Sequence, residues 1–349
     1  MYDVAVIGGG PGGATCAALC AAAGRRVLIL ERSRFPREKV CGDCLNPIAW
    51  NVLERLGVVA EVLNEPHVKL RGVRFVGVDG RSVRIALPAS EKPELGITRG
   101  RLDAVLLRRA RDLGAEIHEG IALTHASKGA SHWQLQSDSG CYCARQLVAA
   151  DGRNSTVCRT LGLLKPFPPD DRVGTQTHFD APPGLDAEVA LHFLPQGYMG
   201  LAPVGSGIAN LCLVSRTREL KALKKRAMRD FGMAEDQQWR SISPLSRTPL
   251  PAVLENLWLV GDAAHVVEPF TGEGIAYAIR SGALCAEALL EDKPNRYLLS
   301  HKALYRGRLW VNRLAKAACL FPALGTAMVA GGQIFPGFLT MLTRKVVRS

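Results

Sequence analysis

The chain has 349 residues, of which 47% are hydrophobic and 22% are charged, and its formal net charge is +12. This composition excludes a disordered or low-complexity protein, and the length predicts about two globular domains. The basic residues are scattered and no nucleic-acid-binding module is visible. We therefore expect no nucleic acid as a partner, and instead an anionic lipid, a carrier protein or an anionic substrate.

The N-terminus and the cysteines predict where the protein is located. A strand begins by Tyr2, which leaves no room for the charged and apolar regions of a signal peptide. Without an export signal, the ten cysteines are expected to be reduced thiols, as is usual in the cytosol. We therefore expect a cytoplasmic protein.

Residues 1–31 have the pattern of a dinucleotide-binding unit, namely a strand, a glycine-rich turn, a helix and a second strand that ends in an acid. Gly8 permits a tight bend, Gly10 lets the backbone approach a pyrophosphate, and Gly13 lets the helix pack on the strand. The helix N-terminus offers amide hydrogens to phosphates, and Glu31 is placed to accept both ribose hydroxyls. The residues expected to bind the cofactor here are Gly8, Gly10, Pro11, Gly12, Gly13, Glu31 and Arg32.

The rest of the chain alternates between helical and strand-like patterns. A helix is predicted over residues 48–56, a β-hairpin over 68–87, and a longer helix over 99–113. Several strand-like runs between residues 173 and 214 predict an antiparallel sheet, after which a strand at 257–260 returns the chain to the first domain.

Three motifs follow one another in the chain. They are the glycine-rich turn with Glu31, the sequence from Ala150 to Ser155, and Gly261-Asp262 followed by the segment 269–274. Together they resemble the flavoprotein superfamily of aromatic hydroxylases, flavin halogenases and geranylgeranyl reductases, over almost the full chain. The resemblance implies bound FAD, with Asp262 on a ribityl hydroxyl and segment 269–274 at the pyrimidine edge of the flavin. The further cofactor-binding residues that it implies are Arg101, Asp151, Gly261, Pro269, Gly272, Gly274 and Ile275.

Two segments resemble the geranylgeranyl reductase branch of this superfamily. The sequence from Lys39 to Gly42 is similar to the reductases' Lys-x-Cys-Gly segment, in which Cys-Gly lies over the flavin ring. Tyr198 and Pro203 match a motif of the reductases' substrate domain. Gly200 and Ala202 stand where that motif has tryptophan and phenylalanine, and this difference should widen the pocket. The catalytic residues that the resemblance implies are Cys41, Gly42 and Tyr198.

Some of these residues have alternative roles. The Cys41-x-x-Cys44 sequence is compatible with a catalytic dithiol or with two structural cysteines. No metal site is expected, because Cys141 and Cys143 are spaced too closely to complete the usual zinc pattern with this pair. For Arg101 the alternative is a solvated side chain, on a helix whose N-terminus Asp103 would cap.

The sequence as a whole predicts an α/β fold. A Rossmann-like FAD-binding domain is expected from residues 1–72, 99–165 and 250–295, and a substrate domain with a mixed or antiparallel β-sheet from 73–98 and 166–249. Residues 296–349 are expected to form a helical C-terminal segment. Within it, residues 317–343 carry no charge, but prolines and glycines interrupt them. This favours two short helices that cap the substrate pocket or lie at the inner face of a membrane, rather than one spanning helix.

These features predict an FAD-dependent oxidoreductase that reduces a double bond in a hydrophobic or lipid-like substrate, either free or tethered to a carrier. Two alternatives stay open. One is an FAD-dependent monooxygenase that hydroxylates an aromatic or polyketide substrate, and the other is a non-catalytic electron-transfer subunit. No second glycine-rich fingerprint for a nicotinamide is visible. NAD(P)H or another reductant is therefore expected to bind only transiently.

Overall fold

The structure is a computed structural model that describes residues 1–164, 172–306 and 309–347. In chain order its strands are β1 (Tyr2–Ile7), β2 (Val27–Glu31), β3 (Cys44–Leu45), β4 (Val68–Lys69), β5 (Gly72–Val76), β6 (Ser82–Ala86), β7 (Leu95–Gly96), β8 (Glu116–Glu119), β9 (Leu123–Lys128), β10 (Trp133–Ser137), β11 (Gly140–Ala149), β12 (Arg172–Asp180), β13 (Glu188–Leu194), β14 (Gly197–Pro203), β15 (Ile208–Arg216), β16 (Arg240–Ile242), β17 (Val253–Leu254) and β18 (Leu257–Leu259). Its α-helices are α1 (Pro11–Ala22), α2 (Trp50–Leu56), α3 (Val59–Asn64), α4 (Arg99–Asp112), α5 (Thr156–Thr160), α6 (Thr217–Asp230), α7 (Gly274–Leu290), α8 (Pro294–Tyr305), α9 (Leu309–Leu320), α10 (Pro322–Ile334) and α11 (Pro336–Val347). Short 3₁₀ turns occupy Pro47–Ala49, Gly261–Ala263 and Pro269–Thr271.

The N-terminal strand lies inside an eight-stranded sheet. The strand order is β17-β18-β11-β1-β2-β8, and β10 and β9 continue from β11. β1 runs parallel to both of its neighbours, with Val6 opposite Ile29 and Val148. Apolar side chains cover both faces of the central strands, which is why β1 and β2 are almost continuous hydrophobic runs. The predicted Rossmann-like sheet of discontinuous segments is confirmed.

A second sheet has seven strands in the order β16-β12-β15-β14-β13-β5-β6. Its pairs are antiparallel except for β13 and β5, which confirms the predicted mixed or antiparallel sheet. α6 packs on one face of this sheet, and α9, α10 and α11 pack on the other. The predicted domain boundaries stay a prediction, and the one between residues 165 and 166 lies outside the described residues.

The local predictions hold with small changes at the ends of the elements. The hairpin predicted over 68–87 is formed by β5 and β6, with Val76 opposite Ser82. The helix predicted over 48–56 begins as a 3₁₀ turn and continues as α2. The helix predicted over 99–113 is α4, but its N-cap is Thr98, whose hydroxyl accepts the N–H of Arg101. Asp103, the alternative cap, is one turn too far along the helix for that role.

The C-terminal segment contains three apolar helices instead of the two expected. Pro322 and Pro336 each begin a new helix, because proline fits the first helical position and cannot continue the preceding helix. Within the described residues, no single helix is long and apolar enough to span a bilayer. The pair formed by Trp310–Leu320 and Pro322–Ile334 is apolar enough, but it is bent by 113°.

The first turn of the chain depends on a close contact between α1 and β1. Gly8 has a positive φ of 103°, and a Cβ added to Gly13 would lie 2.0 Å from the carbonyl oxygen of Gly8. No side chain fits at residue 13 unless the helix moves away from the strand. The predicted packing role of Gly13 is therefore confirmed.

Gly13→Ala should lower the free energy of unfolding by about 3 kcal/mol or more, because the clash is with backbone that cannot rotate away. Gly331→Ala is the matched control, since it lies in α10 with no atom within 4 Å of an added Cβ. It should be neutral or stabilise the protein by up to about 1 kcal/mol. Urea unfolding measures both. Equal midpoints for Gly13→Ala and the wild type would contradict the close contact.

Candidate functional site

A cavity of about 290 Å³ lies between the two large sheets. One end is formed by the N-termini of α1 and α7, and the other by the seven-stranded sheet and the three C-terminal helices. The first end is lined by backbone and cations, and the second by apolar side chains. The two ends therefore suit different chemical groups.

The N-terminus of α1 fits a pyrophosphate. Its N-cap is Gly10, and no side chain caps the helix, so the first amides are left for a ligand. The nearest side-chain atoms to a Cβ built on Gly10 are guanidinium nitrogens of Arg37 and Arg99, at 3.5 and 3.9 Å. Gly10, Pro11 and Gly12 all line the cavity, as predicted. A diphosphate placed here would meet free amides, a helix dipole and two cations.

The two arginines are held by one buried carboxylate. Arg99 donates to both oxygens of Asp103, at 2.8 and 2.6 Å, and Arg37 lies 2.9 Å from the same carboxylate. Lys39 is a third cation in the cavity, and burial, with repulsion from Arg99 and Arg37, lowers its pKa to about 8. Sequence reasoning assigned no cofactor role to these three cations. For Arg99 the sequence did contain a signal, because Asp103 follows it by four residues on a predicted helix and can therefore pair with it.

The structure does not bring Arg101 to the cavity. Its guanidinium donates to the carbonyls of Pro66 and Val204, at 3.0 and 3.2 Å. Two residues along a helix turn a side chain by about 200°, so Arg99 faces the cofactor end and Arg101 faces away from it. We therefore reassign the predicted cofactor contact from Arg101 to Arg99.

Glu31 is placed as the sequence predicts, at the end of β2 beside the glycine turn. It is buried, and its carboxylate accepts the N–H groups of Gly9 and Ser33 at 2.8 and 2.9 Å. Arg32, the next residue, is exposed. These hydrogen bonds fix the carboxylate. The role of Glu31 in ribose binding and that of Arg32 in cofactor binding stay predictions.

Asp151 has a structural contact in place of the predicted cofactor contact. Its carboxylate accepts the N–H groups of Thr156 and Val157, at 2.6 and 3.3 Å, and so caps α5. Burial raises its pKa. Its neighbours Ala150 and Gly152 line the cavity, but Asp151 does not. The Asp-Gly motif therefore shapes the cavity through its backbone.

Asp262 lines the cavity and is paired with Arg153. Arg153 donates to one oxygen of this carboxylate at 2.9 and 3.2 Å, which leaves the second oxygen for a ligand. Gly261 lies beside it with a positive φ of 59°. Arg153 is a residue that sequence reasoning missed, because only the fold brings it to Asp262 from 109 positions away.

The N-terminus of α7 points at the same cavity. Pro269, Gly272, Gly274 and Ile275 all line it, as the resemblance implies. Gly272 has a positive φ of 69°, so the chain turns sharply just before the helix begins at Gly274. The positive end of the helix dipole therefore faces the space where an electron-rich ring would lie.

The Cys41-Gly42 loop crosses the cavity and is held by the second sheet. The N–H of Cys41 donates to Gln176 at 3.1 Å, and its carbonyl accepts from Asn210 at 2.9 Å and from Cys212 at 3.0 Å. Both Cys41 and Gly42 line the cavity. The sequence placed them correctly in this respect, and their catalytic role stays a prediction.

The geometry does not favour a dithiol mechanism at Cys41 and Cys44. Both thiols are free, and burial raises the pKa of each. Protonated thiols are poor nucleophiles. The Cys44 thiol donates to the carbonyl of Gly42 at 3.4 Å, which suits a structural role.

Behind this loop lies a buried cluster that the sequence did not reveal. Asp43 has a φ of 55° and no solvent exposure, and it accepts from His178 at 2.6 Å and from Gln176 at 3.2 Å. Burial lowers the pKa of His178, but the hydrogen bond and charge of Asp43 outweigh burial and leave it raised. Gln176 and His178 lie 133 and 135 positions after Asp43 in the sequence. The cluster fixes the backbone on which Cys41 and Gly42 depend.

The other end of the cavity is an aromatic and aliphatic pocket. Tyr198 lies edge-on to Phe270 with ring centroids 5.1 Å apart, and Phe193 stacks on the same ring at 5.5 Å. Among the described residues, the Tyr198 hydroxyl has no hydrogen-bond partner. Gly200 and Ala202 also line the pocket, and a Cβ on Gly200 would meet only Leu191, at 3.4 Å. The expected space is therefore present at Gly200.

Glu94 is the one acidic side chain on the cavity wall besides Asp262, among the residues that the structure describes. It is 9% exposed, and no hydrogen bond or ion pair of the described residues uses its carboxyl group. Burial, helped by repulsion from Glu273, raises the pKa of Glu94 to about 7. Near neutral pH much of this carboxyl is therefore protonated and can donate a hydrogen bond to a ligand.

The raised pKa of Glu94 makes stability depend on pH. The unfolded chain releases this proton near its ordinary pKa of 4.5, while the native state holds it up to about 7, so stability falls as pH rises between these values. Glu94→Gln removes the titration. It should stabilise the protein above pH 7, by about 3 kcal/mol at most, and have little effect near pH 4.5.

Urea unfolding of Glu94→Gln at low and high pH measures this difference. Glu235→Gln makes the same substitution at an exposed acid and is the control. A Glu94→Gln effect of the same size at both pH values would contradict the assignment of a neutral buried carboxyl.

The chain is similar to known proteins over most of its length. The family model described as "FAD binding domain" matches residues 1–292. A menaquinone reductase of Mycolicibacterium smegmatis is 30% identical over 315 residues, which cover 82% of this chain and 76% of the relative. A digeranylgeranylglycerophospholipid reductase of Thermoplasma volcanium is 27% identical over 323 residues, which cover 83% and 78%.

Solved structures share the fold. The flavin-dependent brominase Bmp2 superposes with a TM-score of 0.79 at 20% identity, covering 98% of this chain and 93% of that one. A geranylgeranyl bacteriochlorophyll reductase-like protein from Thermoplasma acidophilum superposes with a TM-score of 0.76 at 24% identity, covering 94% and 90%. With the glycine turn, the paired cations and Asp262 around one cavity, these matches show that the chain belongs to the FAD-binding domain family and is a flavin-dependent oxidoreductase.

Proposed function

We propose that this protein is a geranylgeranyl reductase-like enzyme that reduces a double bond in a hydrophobic, lipid-like substrate. The observation that carries the proposal is the apolar end of the cavity. It is continuous with the Cys41-Gly42 loop and is closed by apolar side chains of the C-terminal helices, among them Val311, Ala318, Val329 and Leu342. A long hydrocarbon chain can fill such a space without leaving polar groups unsatisfied.

The relatives support the same substrate class. The names of the two reductases point to lipids, and both proteins match more than four fifths of this chain. The absence of large side chains at Gly200 and Ala202 fits a bulkier or more branched chain than the reductase motif would accept. Glu94 adds one hydrogen-bond donor to the wall, which suits a neutral oxygen of a substrate head group.

Each part of the site has a distinct task in this proposal. FAD, when bound, supplies two-electron redox chemistry. The N-terminus of α1, with Arg37 and Arg99, would hold the diphosphate, and the positive end of the α7 dipole would lie at the flavin. The loop at Cys41 and the aromatic wall at Tyr198 position the substrate and exclude water. NAD(P)H or another reductant would serve as a transient electron donor.

The product distinguishes reduction from the alternatives. The FAD-loaded enzyme is reduced with dithionite and mixed with menaquinone or with a geranylgeranyl glycerophospholipid. Each reaction is run once without oxygen and once in air, and the lipid is analysed by mass spectrometry. We expect a product that has gained two hydrogens at a carbon-carbon double bond in the absence of oxygen. A product that has gained an oxygen atom, formed only in air, would overturn the proposal in favour of a monooxygenase. Reoxidation of the flavin by a protein acceptor with neither lipid changed would favour an electron-transfer subunit.

Gly200→Trp tests whether the pocket at β14 holds the substrate. The indole would project into the cavity, so the variant should keep its FAD and thermal midpoint but lose tenfold or more in kcat/KM for the lipid, as about 1.4 kcal/mol of lost contact would give. Met199→Trp is the matched control, because Met199 packs on the opposite face of the sheet with Leu211 and Leu223. Loss of FAD or unfolding in Gly200→Trp would show that this position is packed core.

A further inference from the structure

The three C-terminal helices, α9 to α11 at residues 309–347, form a cap over the apolar end of the cavity. The cap contains no Asp or Glu, whereas it has four cations, Arg313, Lys316, Arg344 and Lys345. In a chain with 32 acidic residues, such a stretch has an unusual charge. All the charge that the cap presents is therefore positive.

Both faces of the cap are apolar. The inner face lines the cavity and packs on the seven-stranded sheet. On the outer face, the cap contributes eight of the thirteen large hydrophobic side chains that are exposed in the described part of the chain. They are Trp310, Leu320, Phe321, Leu324, Ile334, Phe335, Phe338 and Met341. A helix of a soluble protein normally turns a polar face to water, so the outer face is suited to another environment.

The exposed side chains concentrate where the helices meet. Phe321 lies between α9 and α10. Ile334 is the last residue of α10 and is 71% exposed, and Phe335, between α10 and α11, is 74% exposed. The 113° bend between the first two helices prevents a straight span. Lys345 lies over the ring of Trp310 at 5.0 Å, and a cation paired with an exposed tryptophan is typical of the level of lipid head groups.

We propose that the outer face of the cap binds the surface of an anionic lipid bilayer, with the three helices lying in the head-group region above the cavity. Cations attract the anionic lipids, and the apolar side chains at the helix junctions enter the acyl boundary. A lipid-like substrate would then move between the bilayer and the cavity without crossing water. The binding itself does not depend on the proposed reaction, so it can be tested separately.

The test is sedimentation of the FAD-loaded protein with vesicles of phosphatidylcholine alone or mixed with phosphatidylglycerol. We expect binding to the anionic vesicles that weakens at high salt, and much weaker binding to phosphatidylcholine. Ile334→Glu should lower the partition coefficient by about tenfold or more. Leu299→Glu is the matched control, because Leu299 is also 71% exposed but lies on α8, and it should bind as the wild type does.

The double variant Arg344→Glu with Lys345→Glu tests whether positive charge contributes to binding. It should weaken binding to anionic vesicles by about fivefold or more for each cation replaced. FAD content and thermal midpoint show that each variant is folded. The proposal is overturned if wild-type protein sediments with neither vesicle, or if Leu299→Glu loses as much binding as Ile334→Glu. If the wild-type protein binds no vesicles but forms a homodimer, and Ile334→Glu dissociates that dimer, a second copy of the chain covers this face instead.

Discussion

The buried carboxylate of Asp103 is the interaction on which the cofactor end of the cavity depends. Arg37 and Arg99 lie beside the N-terminus of α1, whose partial positive charge would repel both of them. Asp103 accepts from Arg99 and pairs with Arg37, so it offsets part of this charge and fixes the direction of both side chains. Lys39 lies close to the same pair, and burial, with repulsion from Arg99 and Arg37, lowers its pKa. A diphosphate bound here would be attracted by these cations.

The loop from residue 37 to residue 44 transmits this arrangement to the second sheet. Arg37 and Lys39 belong to the cofactor end, while Cys41 is held by Gln176 and Asn210 from neighbouring strands. Asp43 accepts the N–H of Arg99 as well as the His178 ring, so one residue joins both ends. A change in the sheet would therefore move the loop, and the loop would move the cations.

The sequence predicted those elements of the fold whose conformation depends on residues close together in the chain. The glycine turn, the hairpin at residues 72–86 and α4 all follow from local patterns, because their constraints lie within a few residues. The assignment of Arg101 failed because a family motif gives the helix but not which of two nearby arginines faces inward. The cap on α5 by Asp151 and the pair of Arg153 with Asp262 were missed because tertiary structure decides them. Asp43 with His178 had no sequence signal, since a long-range contact joins a loop to a strand.

The hydrophobicity of the C-terminal helices has two separate causes. The inner residues must be apolar because they close a cavity in which a polar group would need a partner, and Tyr198 already lacks one for its hydroxyl among the described residues. That requirement does not extend to the outer residues, since a polar outer face would close the cavity equally well. Phe321 and Phe335 nevertheless expose most of their surface at the bends, with no acid anywhere in these helices. Closure of the cavity therefore accounts for the inner face alone, and the apolar, positively charged outer face is the feature that the proposed contact with an anionic bilayer would explain.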